Sequence, residues 1–222
     1  IPIRFRSHRI CRKSEINKMT KIKAIIFDLG GVLIDFSGMT DIRSMMRKDP
    51  GLDAIRPRWI TCPTISAFER GEISSDIFAS EFTQTWDLQI EPDDFISVFK
   101  SWIKGTLPGT EQLLVSLRPH YTLACLSNTN PLHWSQMMHD IGLYSQLDQH
   151  FASHTLGRMK PDPNVFADVC AEMGFAPSEV VFFDDGVENI EGAKQAGLSA
   201  YQVQSPGDIT MKLKALGLMS RS

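Results

Sequence analysis

The stretch Ile22-Lys23-Ala24-Ile25-Ile26-Phe27-Asp28, followed by Leu29-Gly30-Gly31, decides the fold. A short apolar run rich in Ile and Phe that ends in a carboxylate and a glycine pair reads as a buried parallel strand entering a loop. Three similar runs recur downstream, Tyr121 to Leu126, Val180 to Phe183 and Leu198 to Val203. Segments with helical spacing separate them: Gly109 to Leu117, Pro131 to His139, Pro163 to Met173 and Val187 to Ala196. The alternation predicts an α/β fold, a doubly wound parallel sheet with helices on both faces.

Residues from about 40 to 104 break that alternation. Ser75 to Trp86 and Pro92 to Ile103 carry helical periods with acids near their first turns, and no convincing strand stands between them. An all-helical insertion is expected, with Gly105 to Gly109 (GTLPG) turning the chain back into the core. The expected organisation is a flexible basic leader at 1–19, an α/β core of 20–36 and 105–217, and a helical cap at 37–104. Phe68, Phe78, Phe82, Trp86 and Trp102 are expected to fill the cap interior.

The chain has 222 residues, 42% of them hydrophobic, enough for one globular core. No apolar run reaches the roughly 18 to 20 residues needed to cross a bilayer. Six Lys/Arg and one Glu in residues 1–18 leave a net charge of −8 on the rest of a chain whose total is −3. An acidic body argues against nucleic acid as a partner. The Arg-rich leader reads as sequence upstream of the fold ahead of a transit segment. Cys11, Cys62, Cys125 and Cys170 form no CxxC pair and, with the histidines, show no zinc-ligand spacing. They read as buried free thiols in a reducing compartment, so a cytoplasmic location is expected; the expected assembly is a monomer or homodimer.

Ligands of open parallel sheets bind beyond the carboxyl ends of the strands. Those ends supply Asp28, Ser127 with Asn128, Lys160 in GRMKPDP, and Asp184 with Asp185. Carboxylates are costly to bury, and three at one sheet edge repel each other unless a hard cation with oxygen ligands, Mg2+ above all, joins them. A carboxylate nucleophile beside hydroxyl, amide and ammonium donors is the set that phosphoryl transfer needs. Ser127 and Asn128 are suited to bind phosphoryl oxygens, and Lys160 to balance their charge.

FDLGGVLID (Phe27 to Asp35), LSN (Leu126 to Asn128), Lys160 in KPDP and FFDDGVENIEGAKQAG (Phe182 to Gly197) resemble the four motifs of the haloacid dehalogenase superfamily, over about residues 22 to 205. The helical stretch occupies the place of that family's small cap. The resemblance implies that Asp28 forms an aspartyl-phosphate and that Asp28, Asp185 and the Gly30 carbonyl hold Mg2+. It also implies that Asp184 acts through the groups around the metal, and that Asn189 steadies that network. The FDLGGVL form is similar to a branch that includes sugar-1-phosphate phosphatases, so a small phosphorylated metabolite is the expected substrate.

One position departs from the pattern. Typical phosphatases of the family carry a second Asp where this chain has Gly30. General acid/base catalysis commonly supplies on the order of 10² to 10⁴ in rate, so another group is expected to move the proton: Asp35, His133 or an ordered water. Two rival readings follow. A 2-haloacid dehalogenase would use the same Asp without metal, which the Asp184-Asp185 pair argues against. A catalytically silent binding member is the reading that Gly30 favours.

Overall fold

The computed structural model describes residues 21–220, so the leader expected at 1–19, with Cys11, lies outside the described residues. Ala24–Phe27 forms β1, the middle of a five-stranded parallel sheet. The sheet also contains β4 (Thr122–Ser127), β5 (Gln149–Ala152), β6 (Val180–Asp184) and β7 (Ser199–Gln202), in the order β5-β4-β1-β6-β7. Ile25 pairs with Leu123 on one side and Val181 on the other.

Successive side chains of a strand point to opposite faces, and here both faces are covered. Ile25, Phe27, Leu123, Cys125, Val181 and Phe183 pack with Leu113, Leu114 and Leu117 of α6 (Thr110–Leu117) and with Ile209 and Leu213 of α11 (Pro206–Ala215). Ala24, Ile26, Leu126 and Phe182 pack on the other face against α9 (Pro163–Met173) and α10 (Val187–Gln195). Each fully buried Phe, Ile or Leu contributes about 1.5–3 kcal/mol of transfer free energy. Two-sided burial is why these strands read as unbroken apolar runs.

Three features depart from the sequence reading. The edge strand β5 gave no apolar signal, because only Phe151 and Ala152 of its four residues are buried. The helix expected from Pro131 to His139 is α7 (Pro131–Ser135), continued as a π-helical turn over Gln136–Asp140. The insertion is bracketed by strands: β2 (Ile34–Phe36) and β3 (Ile103–Thr106) form an antiparallel ribbon, so the helical pattern of Pro92 to Ile103 stops short of its expected end.

Between the ribbon strands lie α1 (Gly38–Met45), α2 (Leu52–Ile60), α3 (Pro63–Glu69), α4 (Ser75–Thr85) and α5 (Pro92–Lys100). The start of α4 is capped by Ser74, whose hydroxyl accepts from the Ile77 N–H at 3.3 Å. Phe78, Phe82 and Trp86, four residues apart, stack in series at 5.1 Å per step, and Phe68 lies 4.2 Å from Phe78. Phe95, Phe99 and Trp102 complete this separate aromatic core. No helix among the described residues is long and apolar enough to cross a membrane.

Candidate active site

Asp28 directly follows β1, where its N–H donates to the Phe183 carbonyl at 2.8 Å. The chain then turns through Leu29, Gly30 and Gly31, closed by the Ile34 N–H donating to the Leu29 carbonyl at 2.8 Å. Gly31 has φ of +76°, and a Cβ there would stand 3.6 Å from an Asp185 carboxylate oxygen. Glycine therefore serves both the turn and the close approach of the β6 end.

Asp184 and Asp185 arrive from the end of β6. Carboxylate oxygens of Asp28, Asp184 and Asp185 all lie within 4.8 Å of one another. The Lys160 ammonium, its side chain 1% exposed, bridges two of them, 2.8 Å from Asp28 Oδ1 and 2.6 Å from Asp184 Oδ2. Asp184 Oδ1 accepts from the Gly186 N–H at 2.7 Å, and Asn189 Nδ2 donates to both Asp184 oxygens at 2.9 and 3.1 Å. Asp184 is thus saturated within the protein, whereas Asp28 and Asp185 keep lone pairs directed at the cavity. That donor set fits a hard divalent cation held by Asp28, Asp185 and a backbone oxygen such as that of Gly30, which lines the same cavity.

The electrostatics state the same problem. Burial, opposed by Lys160 and reinforced by Asp184 and Asp185, pushes the Asp28 carboxyl up to about 7. Burial and Asp184 raise Asp185 as well, against the pull of Arg56. Lys160 is held above its ordinary range: burial works against this, and the carboxylates of Asp184 and Asp28 prevail. On the insertion side, Arg56 of α2 reaches Asp185 Oδ2 and Glu188 Oε1 at 3.2 Å each.

Several expected residues take different places. Asn128 does not turn its amide to the cavity centre: Nδ2 donates to the Lys160 carbonyl and Oδ1 accepts from the Lys160 N–H, both at 2.9 Å. Its side-chain amide holds the Lys160 loop, while the residue still lines the cavity. Ser127 is buried and lines the cavity. Asp35 is exposed on β2, because the period-two alternation that buries Ile34 turns its neighbour outward. Asp35 is not brought to the site.

His133 lines the cavity, but its ring is stacked 4.1 Å from Phe99, and its Nε2–H donates to the Phe99 carbonyl at 2.7 Å. Asn130 Nδ2 donates to Nδ1 at 3.2 Å. Burial lowers this imidazole to about 4, with the Phe99 carbonyl opposing, so it is a neutral packing group with both nitrogens occupied. The proton transfer expected of His133 does not fit this arrangement.

The cavity above these groups measures about 560 Å³ and is walled on the insertion side by Arg56, Trp59, Ile65, Ser66 and Glu69. Sequence reasoning gave Arg56 and Glu69 no role. The only signal for Glu69 was an acid at the end of the apolar segment Ile65 to Phe68, where an amphipathic helix would otherwise continue its buried face.

A parallel sheet with carboxylates on its strand ends and a loop lysine between them, roofed by a helical insertion, defines a class of hydrolase. Residues 22–197 match the haloacid dehalogenase-like hydrolases, and the chain belongs to that family. It is similar to D-ribitol-5-phosphate phosphatase of Bacteroides thetaiotaomicron, 26% identical over 206 residues that cover 88% of this chain and 98% of that one. Among solved structures, a predicted hydrolase of this type from Porphyromonas gingivalis superposes with a TM-score of 0.71 at 25% identity, covering 90% and 99% of the two chains. A family enzyme from Bacteroides thetaiotaomicron in complex with magnesium and inorganic phosphate shares the fold, with a TM-score of 0.66 at 24% identity over 82% and 93%.

Proposed function

We propose that the protein is a Mg2+-dependent phosphomonoester hydrolase acting through Asp28 on a small sugar phosphate or similar metabolite. The observation that carries this reading is the buried Lys160 bridging Asp28 and Asp184, with Asp185 beside them, in one cavity roofed by the insertion. A nucleophilic carboxylate, a fixed cation and a site for a divalent ion are the parts required by phosphoryl transfer.

Asp28 attacks phosphorus in line, and the bond to the leaving oxygen breaks as the aspartyl-phosphate forms. Lys160 and the Ser127 hydroxyl hold charge on the phosphoryl oxygens. Asn128 keeps the Lys160 loop in place, and Asn189 with the Gly186 N–H keeps Asp184 aimed at Lys160. Asp28, Asp185 and the Gly30 carbonyl would hold Mg2+, which would supply further neutralisation of phosphoryl charge. Water then cleaves the acyl phosphate and restores Asp28.

A small substrate is supported by the cavity volume and by its mixed wall, with Trp59 and Ile65 beside Arg56 and Glu69. The ribitol phosphate specificity named for the Bacteroides relative points the same way. The test is phosphate release from a panel of sugar 1-phosphates and terminal sugar and polyol phosphates with Mg2+, with EDTA and Asp28→Asn as controls. Turnover abolished by both controls is expected. Turnover of a 2-haloacid that survives EDTA would instead identify a dehalogenase, and no turnover above Asp28→Asn would identify a binding protein.

A further inference from the structure

Gly30 deprives this site of a carboxyl on the loop after the nucleophile, and the insertion presents one on the wall of the same cavity. Glu69, the last residue of α3, is 8% exposed and lines the cavity that Asp28 floors. Among the described residues its carboxyl makes no hydrogen bond or ion pair. The adjacent Arg70 is turned away, gripping Glu72 at 2.6 and 2.9 Å.

The end of α3 is seated on the core. Gly71, with φ of +73°, lies so close to the His154 carbonyl of α8 (Ser153–Leu156) that a Cβ would stand 2.5 Å from its oxygen. That contact, two residues beyond Glu69, fixes its position over the strand ends. A largely buried carboxyl that no protein group pairs costs stability when ionised, and its oxygens open onto the cavity and are not sealed within packing.

We propose that Glu69 is the catalytic acid and base of this site, replacing the carboxyl that Gly30 cannot supply. The inference rests on the phosphatase reading above. In an in-line displacement the leaving oxygen departs on the side away from Asp28, which is where this role requires the Glu69 carboxyl to stand. As Asp28 Oδ bonds to phosphorus and the P–O bond to the alcohol breaks, the alcohol oxygen takes the Glu69 proton. Water next attacks phosphorus and gives a proton to the Glu69 carboxylate, while the bond between phosphorus and Asp28 breaks. Inorganic phosphate leaves, and both side chains return to their starting states. Burial, opposed by Lys160 and aided by Asp28, pushes this carboxyl up to about 8, so it holds a proton to donate at neutral pH.

Glu69→Gln keeps the shape and removes the transferable proton, and the full chain with Mg2+ is assayed on two probes. With glycerol 1-phosphate, whose alkoxide needs protonation, kcat should fall by about 10² to 10⁴. With p-nitrophenyl phosphate, whose leaving group needs none, a burst of p-nitrophenolate stoichiometric with enzyme should persist. Later turnovers should slow, and acid-quenched protein should carry phosphate on Asp28. Equal losses on both probes without a burst, or no loss on either, overturn the proposal. Glu69→Asp should recover part of the glycerol phosphate activity, and a variant as slow as Gln would count against a carboxyl role. Wild-type protein inert toward both probes, and toward the whole phosphomonoester panel, overturns the phosphatase reading itself.

Discussion

Replacing Lys160 with Met keeps most of the length of the side chain and removes its charge from a site it shares with Asp28 and Asp184. The ammonium lies 2.8 and 2.6 Å from their oxygens. At an effective dielectric of about 20, each contact amounts to about 6 kcal/mol of Coulomb attraction. Desolvation of the ions, several kcal/mol each, offsets most of it, and removing one partner of such a buried cluster costs about 3–5 kcal/mol. That loss is the expected destabilisation at pH 8, measured by urea unfolding in EDTA.

Its pH dependence has a definite sign. Asp28 already titrates near 7 with Lys160 present, its desolvation outweighing the lysine's pull. Without the ammonium the folded-state value of Asp28 rises further above the unfolded value near 3.9. A carboxyl with a raised folded pKa penalises the folded state above that pKa, and the penalty fades as pH falls and the proton is taken up. The deficit of Lys160→Met should therefore shrink between pH 8 and pH 5. A deficit below about 1 kcal/mol at pH 8, or one constant across that range, would refute the reading of Lys160 as the counter-ion of two buried anions.

Three further outcomes are expected. Gly192→Ala would place a Cβ 2.0 Å from the Pro161 carbonyl oxygen, displacing the Lys160 loop; a stability loss of about 1–3 kcal/mol and at least about a tenfold drop in phosphate release should follow, and unchanged turnover would contradict the tight packing. The His133 imidazole should show no NMR titration between pH 5 and 8; because its folded value near 4 lies below the unfolded 6.5, stability should decline as pH falls through that window, by at most about 3 kcal/mol, and a His133 resonance titrating near 6.5 would oppose this. Arg56→Ala removes a half-exposed pair worth less than about 1 kcal/mol to stability, yet frees Asp185 from a competing cation, so calorimetry should record tighter Mg2+ binding; weaker binding would assign Arg56 a supporting role.

The sheet strands β1, β4, β6 and β7 were legible in the linear chain because burial on both faces turns a parallel strand into an unbroken apolar run. The same rule located Asp28, Ser127 and the Asp184-Asp185 pair, since polar residues ending such runs fall at the ligand-binding edge of the sheet. Lys160 was read with the strand-end residues, but it stands in a loop that α8 separates from β5. The brief β5 and the β2–β3 ribbon escaped because they bury too few side chains to leave a period.

Partnership across space left no trace in local pattern. Asn128 reads as a free amide until its pairing with the Lys160 backbone, 32 positions away, consumes it. His133 reads as a titratable group until Phe99 covers its ring, and Asp35 as a site residue until the pleat of β2 turns it to solvent. Glu69 reads as a helix-end acid until α3 settles on the core and encloses it above Asp28. Periodicity reports which face of an element is buried, whereas the identity of what covers that face depends on contacts between segments distant in the chain, and those contacts set the charge, the hydrogen bonds and the chemistry of each group.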